Sequence, residues 1–434
     1  MSNLILSLRE LGPPFWRLWV GESITSFGSQ LVRFALGVWV YQRTGSVVEF
    51  AGLMVIGLVA QLIATPIAGN IVDRMDRRRV IVTCDCISAL TSVVIIALLS
   101  FDRLEVVHLY ALAVVGALTS AFLEPAAAST VGTLLKDDQL TRASGMMGLS
   151  ATALGIVTPT LAGALLVMIG LEGVAILDLI TFLIGASLIW KALEALPRRA
   201  PGAASTLGAV LRGSWSNFGN SLTFFTESRP MAGLLTYTVA QATLMAIAVT
   251  MMVPLVLSNH SPSELGLVLS FAAFGALVGN VLMAIFGNPA RRIVVVLVAD
   301  AALGLCLIGL GMVSSLTAYC ILQAMAAAAG VLGGGCRFAL WISNVPEGRR
   351  GSIQVVQETT VMACTAAITL TAALLVERTL EPALAQGQAL ASLAQVLVSV
   401  ENGRSIAMLF VLSGVMVMIV SLFAWSFKPL RSLK

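Results

Sequence analysis

The chain has 434 residues, of which 58% are hydrophobic and only 11% are charged, and its mean hydropathy is +0.95. Soluble globular domains carry about 25% charged residues, so this composition excludes a soluble enzyme or a soluble binding module. The net charge of +4 is small. Its distribution follows the membrane topology described below, so no nucleic-acid partner is expected.

Apolar runs that are long enough to cross a bilayer recur along the whole sequence. A transmembrane helix needs about 20 predominantly apolar residues. The first run is far longer than the core of a signal peptide and no cleavage site follows it, so we expect it to be part of the mature protein. The sequence predicts an all-α membrane protein with twelve transmembrane helices, at 15–42, 47–71, 80–101, 106–134, 140–169, 172–193, 229–257, 263–287, 292–313, 316–341, 350–377 and 405–427.

The basic residues predict the orientation of these spans. If both termini and every connection from an even-numbered to an odd-numbered span lie on one side, that side carries 20 of the 26 Lys and Arg residues. The opposite connections carry four, and Arg33 and Arg337 fall within spans. Since Lys and Arg favour short cytoplasmic loops, we expect both termini in the cytoplasm and the chain in a bacterial cell (inner) membrane.

A linker at 194–228 divides the predicted spans into two groups of six. It contains Pro197 and Pro201 and is followed by apolar residues at helical spacing, which predicts an amphipathic helix on the cytoplasmic surface. The predicted domains are therefore an N-terminal half at 1–193 and a C-terminal half at 229–434. In this parallel two-halves architecture the substrate site lies between the halves near the middle of the bilayer.

A weak internal repeat supports this division. A shift of 214 residues places Arg77 and Arg78 on Arg291 and Arg292. The second and eighth spans therefore end in similar basic turns. The acid and base that precede Arg77, at positions 73 and 74, have no charged counterpart in the second turn.

The turn after the second span has the pattern G-x-x-x-D-R-x-x-R-R, beginning at Gly69. It resembles the cytoplasmic signature of the major facilitator superfamily, and the resemblance extends along the whole chain. Within that superfamily the surroundings are similar to the macrolide-efflux branch of drug:proton antiporters. The supporting segments are Trp19-Val20-Gly21, Thr44-Gly45-Ser46, Asp85, "FLEPAAAS" at 122–129 and "VPEGRRG" at 345–351. Glu22 departs from that branch, which commonly carries an uncharged amide there.

The resemblance implies a conformational latch at this turn. Gly69 would allow close helix approach, and Asp73 would accept hydrogen bonds from amides at the start of the eleventh helix. Nearby arginines would pair with acids in one state and release them in the other. The alternative is that these arginines only anchor the topology. The expected latch residues are Gly69, Asp73, Arg74, Arg77, Arg78 and Asp85.

Polar residues follow one helical face in three of the predicted spans. The first span carries Glu22, Thr25, Ser26, Ser29 and Arg33 at i, i+3, i+4, i+7 and i+11. Such a face avoids lipid and lines a cavity or a helix interface. The candidate residues for a cavity or substrate site are Thr25, Ser26, Ser29, Arg33, Ser120, Thr365 and Thr369.

Three acids in these faces are candidate proton carriers: Glu22, Glu124 and Glu358. A desolvated carboxylic acid stays protonated near neutral pH and releases its proton when water reaches it, which a proton-coupled exporter needs. The alternative is that each acid pairs with a neighbouring helix. We expect Arg33 to hold an acid ionised or to meet substrate, and Arg337 to extend towards the cytoplasmic interface.

These patterns predict a proton-coupled antiporter that exports an amphipathic small molecule, such as a drug or natural product, by alternating access. Alternatives are a siderophore exporter, a lipid or nutrient transporter of the same fold, or a non-transporting sensor or scaffold. No nucleotide-binding motif or nucleophile–base set is present, so neither an ATP-driven pump nor an enzyme is expected. We expect no cofactor and no metal, six reduced cysteines, substrate, protons and membrane lipid as partners, and a monomer.

Overall fold

The computed structural model describes residues 11–72, 75–194, 223–225, 227–286, 291–346, 350–385 and 403–431. The regular structure of these residues is helical. They include one π-helical turn, Val376–Leu380. The helices are α1 Gly12–Thr44, α2 Val47–Val72, α3 Arg77–Ser100, α4 Val106–Leu134, α5 Asp137–Leu193, α6 Arg229–Leu257, α7 Pro262–Phe286, α8 Arg292–Met312, α9 Leu316–Asn344, α10 Arg350–Leu375, α11 Glu381–Ala385, α12 Arg404–Ser426 and α13 Lys428–Arg431.

Ten helices in the described ranges are long and apolar enough to cross a membrane. α1 is not one of these ten although it has 33 residues, because its polar face lowers its hydropathy. α5 has 57 residues and is broken at Gly170, whose φ of 68° and ψ of −179° are not helical. Glycine adopts this positive φ without the penalty that a side chain would impose. The break lies where the sequence predicted the boundary between two spans.

The helices form two compact units. The first contains the described residues within 1–39 and 56–212, and the second contains those within 40–55 and 213–434. In the first unit α3 packs against α4 and α5. In the second unit α8 packs against α9 and α12, α9 packs against α7, and α6 packs against α10 and α12.

The start of α2 belongs to the second unit, and Glu377 holds it there. The Ser46 hydroxyl donates to Glu377 Oε2 over 2.8 Å, and the Val48 amide donates to the same oxygen over 3.0 Å. The Glu49 amide in turn donates to the Ser46 hydroxyl over 3.1 Å. The first amides of a helix have no partner within it, so an acid at this end is favourable. Glu377 thus caps a helix far from it in sequence.

Each unit has an apolar core at the corresponding end of its helices. In the first unit this core joins the start of α1, around Phe15 and Leu18, to the start of α3 and the end of α5. In the second unit it joins the start of α6, around Leu234, to the start of α8 and the end of α9, around Trp341. The remaining surface includes many exposed large apolar side chains, as expected of helices that face lipid.

Glycines allow two helix pairs to approach closely. A Cβ atom on Gly21 of α1 would lie 2.8 Å from the carbonyl oxygen of Gly185 of α5. A Cβ atom on Gly304 of α8 would lie 2.8 Å from the carbonyl oxygen of Gly414 of α12. Small residues at such crossings are a common means of packing helices in membranes. A larger side chain at Gly21 or Gly304 would therefore disrupt the crossing at that position.

Two predicted segments fall largely outside the described residues. The predicted linker helix is described only at 223–225, which is helical. The spacing of Leu384, Leu390, Leu393 and Leu397 also predicts an amphipathic segment at 382–399, which the structure describes only to residue 385.

Candidate functional site

The polar face of α1 lies within the first unit. Glu22 is half-buried, whereas Ser26 and Arg33 are exposed. The Thr25 hydroxyl donates to its own helix, to the carbonyl oxygens of Gly21 at 3.2 Å and Glu22 at 3.1 Å. Thr25 is thus held against the helix backbone, and the freely presented groups of this face are Ser26 and Arg33.

An acid pair lies where α1 meets α3. Glu22 of α1 and Asp85 of α3 are close enough for their carboxylates to repel each other, and both are half-buried. Neither acid forms an ion pair within the described ranges. Repulsion between two carboxylates in a low-dielectric site disfavours the state in which both are ionised. The structure therefore brings Asp85, predicted for the latch, beside the predicted proton carrier Glu22.

A buried aspartate follows two turns further along these helices. Asp178 of α5 is 5% exposed, and its Oδ2 accepts a hydrogen bond from the Ser92 hydroxyl of α3 over 2.6 Å. The Ser29 hydroxyl of α1 lies within reach of the same carboxyl group. Ser29 and Ser92 each follow their acid, Glu22 or Asp85, by seven residues, which is about 10 Å along a helix.

The face predicted on α4 is open. Glu124 is exposed and Ser120 is half-buried. A Cβ atom on Gly116, one further turn away, would meet no atom within 4 Å. Glu124 is therefore an exposed acid of the first unit and is not among the groups that act on the carboxylates of Glu22 and Asp85.

The face predicted on α10 has a different character. Glu358 is exposed and accepts a hydrogen bond from the Gln354 side chain, one turn earlier, over 2.8 Å. Thr365 is half-buried, and Thr369 is buried with a hydroxyl oxygen that has no hydrogen-bond partner among the described residues. Exposure thus decreases along this face of α10, from the exposed Glu358 through the half-buried Thr365 to the buried Thr369.

The second unit contains a polar cluster centred on Asp300 of α8, which has 0% exposure. Asp300 Oδ2 accepts from the Tyr237 hydroxyl over 2.6 Å and from the Arg337 guanidinium over 2.6 Å. The Tyr237 hydroxyl also lies 3.4 Å from the Ser421 hydroxyl. The cluster therefore joins α6, α8, α9 and α12. Arg337 is only 16% exposed, so the prediction that it extends to the interface is wrong: a buried acid neutralises it within the unit.

The predicted latch turn is described in part. Asp73 and Arg74 lie outside the described residues, and Gly69 lies in the last turn of α2. Asp76 caps α3 by accepting from the Arg78 amide over 3.1 Å. The Arg77 guanidinium donates to the Ser129 carbonyl oxygen over 2.8 Å and to the Thr133 hydroxyl. Arg77 thus ties the start of α3 to the end of α4, two helical turns away from Asp85.

No cluster suited to a metal ion was found among the residues that the structure describes. All six cysteines are free thiols. Asp178 and Asp300 were not predicted as site residues, because the sequence shows no polar face around either. Their hydrogen-bond partners come from other helices. The sequence feature that could have revealed these aspartates is a serine or tyrosine at the same height in the membrane on a neighbouring span.

Apolar helices that enclose polar clusters define a multi-pass membrane transporter rather than an enzyme. The chain belongs to the Major Facilitator Superfamily, whose sequence pattern matches residues 18–368. This confirms the family predicted from the sequence.

Three known proteins are similar to this chain. It is 23% identical to Macrolide efflux protein A of Streptococcus pyogenes over 300 residues, which are 68% of this chain and 71% of that protein. A bacterial homologue of the human lysosomal transporter Spinster, inward-facing and unoccupied, matches with a TM-score of 0.65 and 17% identity over 96% of this chain and 97% of that one. An inward-facing bacterial homologue of the iron transporter ferroportin matches with a TM-score of 0.66 and 14% identity over 96% and 99%. The two structures support the fold.

Proposed function

We propose that this protein is a proton-coupled exporter of amphipathic small molecules that works by alternating access in the bacterial cell (inner) membrane. In this proposal α1 and both parts of α5 span the membrane, which gives twelve spans. The halves at 1–193 and 229–434 move about the linker at 194–228, and both termini lie in the cytoplasm. Similarity to a macrolide efflux protein supports export as the direction of transport.

The observation that carries the proposal is the acid pair of Glu22 and Asp85 inside the membrane-spanning part of the chain. Ionisable residues at such depth are costly and mark ion or substrate pathways. A proton taken up by the pair removes the repulsion between the two carboxylates, and its release restores that repulsion. This change in charge is the driving element of an antiporter that exchanges protons for substrate.

The charge of the first unit favours neutral or cationic substrates. Glu22 and Glu124 outnumber Arg33 among the predicted interior charges of the first half, and an anion would be repelled whenever both acids are ionised. Ser26 and Ser120 supply hydrogen-bonding groups on the same faces. We therefore propose lipophilic weak bases and large neutral lactones or peptides as substrates. The protein acts as a monomer and needs no cofactor.

The signature turn is proposed to act as the cytoplasmic latch. Asp73 and Arg74 supply the charges that change partners between states. Arg77 supplies a fixed anchor, supported by its contacts with the end of α4. The latch and the acid pair are connected through α3, which begins at Arg77 and carries Asp85 two turns later.

The test is substrate-dependent proton movement in liposomes that contain the purified full-length chain. A lipophilic weak base is added while a dye inside the vesicles reports the internal pH, with and without an imposed pH gradient. We expect the weak base to drive proton flux through the wild-type protein and not through Glu22→Gln. Glu105→Gln is the matched control, because Glu105 lies outside the acid pair, in the connection before α4.

Three outcomes would contradict the proposal. Binding of the weak base without any flux would indicate a sensor or scaffold. Flux that is independent of the pH gradient would indicate a uniporter. Consistent preference for the carboxylate member of a charge-matched substrate pair over its amide would favour anions, such as siderophores, and would show that arginine dominates the site.

A further inference from the structure

Asp178 is a buried carboxyl group that lacks a compensating positive charge. Its side chain is 5% exposed, and it forms no ion pair in the described part of the chain. A carboxylate buried without a cation is strongly disfavoured relative to its neutral form. The structure must therefore neutralise this group in some other way.

Among the described residues, the hydrogen-bond donors to the Asp178 carboxyl are hydroxyl groups. Ser92 donates to Oδ2 over 2.6 Å, and Ser29 lies within reach. Oδ1 has no hydrogen-bond partner among the described residues. A carboxylate normally accepts several hydrogen bonds when it is buried, so neutral hydroxyl donors on one side leave the negative charge poorly solvated.

The charged groups on the packed elements do not change this conclusion. Arg33 lies one turn beyond Ser29 on α1, but its side chain is exposed and it does not pair with Asp178. Lys191 lies near the end of α5, more than three turns from Asp178. The other charged or titratable residues of these helices are Arg17, Glu22, Tyr41 and Arg43 on α1, Arg77, Arg78, Arg79, Cys84, Asp85 and Cys86 on α3, His108, Tyr110 and Glu124 on α4, and Asp137, Asp138, Arg142 and Glu172 on α5.

The space beside Oδ1 excludes a metal ion. A Cβ atom on Gly28 of α1 would lie 2.8 Å from Asp178 Oδ1 and would also meet the Thr181 hydroxyl. Oδ1 thus packs directly against the α1 backbone. A cation with its own shell of oxygen ligands has no room there, whereas a proton has.

We propose that Asp178 is a second proton-binding site, two helical turns beyond the pair of Glu22 and Asp85. Its carboxyl group holds a proton in the conformation described here. When α1, α3 and α5 part, water reaches the group, the O–H bond breaks, the proton passes to water and the carboxylate remains. As a coupling site, Asp178 rests on the proposed antiport function; as a buried carboxylic acid, it stands independently of transport.

Infrared spectroscopy of the purified full-length protein in lipid nanodiscs tests the site directly. The carbonyl stretch of a protonated carboxylic acid is separate from that of a carboxylate and shifts in D₂O. At neutral pH we expect wild-type spectra to contain, besides any signal from Glu22 and Asp85, a carboxylic-acid band that is lost in Asp178→Asn. The same band should persist in Asp300→Asn, because Asp300 is paired with Arg337. Addition of Na⁺ should leave it unchanged.

A spectrum of Asp178→Asn that matches wild type in this region would overturn the proposal, and so would loss of the band on addition of Na⁺. Asp178→Glu, which retains the carboxyl group, should restore a shifted band and serves as a check on folding. If this variant folds and shows no band, the site does not hold a proton.

Transport separates this proposal from the proposed function. Asp178→Asn in liposomes should reduce the protons moved per weak-base molecule by about half if both sites are used. If the wild-type protein shows the band but Asp178→Asn moves as many protons per weak-base molecule as wild type, the coupling role of Asp178 is overturned. A band in a wild-type protein that shows no proton-driven transport would overturn the antiport function while confirming the buried acid.

Discussion

Asp178 in the first unit and Asp300 in the second are packed alike and neutralised differently. A Cβ atom on Gly28 would lie 2.8 Å from Asp178 Oδ1, and a Cβ atom on Gly333 would lie 2.8 Å from Asp300 Oδ1. Both Oδ1 atoms lack hydrogen-bond partners among the described residues. Oδ2 of Asp178 accepts from a serine hydroxyl, whereas Oδ2 of Asp300 accepts from a tyrosine and an arginine.

This difference in how the two carboxyl groups are neutralised shows that similar packing is compatible with two different roles. The cluster around the ion pair of Asp300 and Arg337 joins four helices of the second unit, and its two charges compensate each other. A buried pair of this kind adds little stability over apolar residues, but loss of one partner leaves an uncompensated charge. Asp178 has no such partner, so its charge can change without leaving another charge behind. The second cluster is suited to hold structure and the first to exchange a proton.

The largest effect is expected from breaking the ion pair. Asp300→Asn leaves Arg337 buried without a counter-charge, so we expect the free energy of unfolding to fall by about 3–5 kcal/mol. Asp178→Asn is the matched variant and should lose no more than about 1 kcal/mol, since it replaces a neutral acid by a neutral amide of similar shape. Denaturant and thermal unfolding of the purified protein in detergent measure both.

A double variant sharpens this contrast. Asp300→Asn combined with Arg337→Gln removes both charges and should recover much of the loss. Equal destabilisation by Asp300→Asn and Asp178→Asn would contradict the distinction between the two clusters.

The hydroxyl donors give the next largest effect. Tyr237→Phe removes a donor to a charged group and should cost about 1.5–3 kcal/mol of unfolding free energy, whereas Ser92→Ala removes a donor to a neutral acid and should cost about 0.5–1.5 kcal/mol. Thr236→Ala is a control for each, because this exposed hydroxyl bonds only its own helix. If Ser92→Ala proved the more damaging change, Asp178 would have to be ionised.

The two glycines test the shared packing. Gly28→Ala and Gly333→Ala each place a methyl group against an aspartate oxygen, so we expect a loss of about 1–3 kcal/mol in unfolding free energy for both. Gly116→Ala meets no atom within 4 Å and should leave the unfolding temperature unchanged. If either Gly28→Ala or Gly333→Ala left the unfolding free energy unchanged, the neighbouring aspartate carboxyl group would be able to move away. The two aspartates would then not be packed alike.

The smallest effect is expected at the basic turns that follow the second and eighth predicted spans. These turns differ in sequence, just as the clusters around Asp178 and Asp300 differ in charge. Asp73→Asn removes an acid worth about 0.3–1 kcal/mol at a helix end, which corresponds to a two- to fivefold loss of transport rate with expression retained. Asn288→Asp, at the position that aligns with Arg74 in the second turn, is the control and should leave the rate unchanged. Full activity of Asp73→Asn would reduce the signature to a topology anchor.

The positions of the helices could be predicted closely because the bilayer fixes their length and composition. α4 at Val106–Leu134 and α6 at Arg229–Leu257 begin and end at the predicted residues. Gly170 breaks α5 within the gap left between two predicted spans. Charges and glycines mark such ends, and each is visible without any knowledge of tertiary contacts.

The clusters were harder to predict because their members come from different helices. The polar face of α1 was visible, since it repeats with the period of one helix. Asp178 meets one serine from α1 and one from α3, and a search along a single helix does not detect that arrangement. Arg337 was assigned to the interface for the same reason: its acid lies 37 residues away on another helix.

Glu377 has a consequence for how this protein is made. It is 331 residues from Ser46 and 329 residues from Val48, whose hydrogen bonds it accepts. At roughly 5–20 residues per second, a ribosome needs about 16 to 66 s to reach Glu377 after it has completed the start of α2. Throughout that interval the first amides of α2 depend on water or lipid head groups. The beginning of the second helix is therefore among the last parts of the nascent chain to reach its final hydrogen bonding.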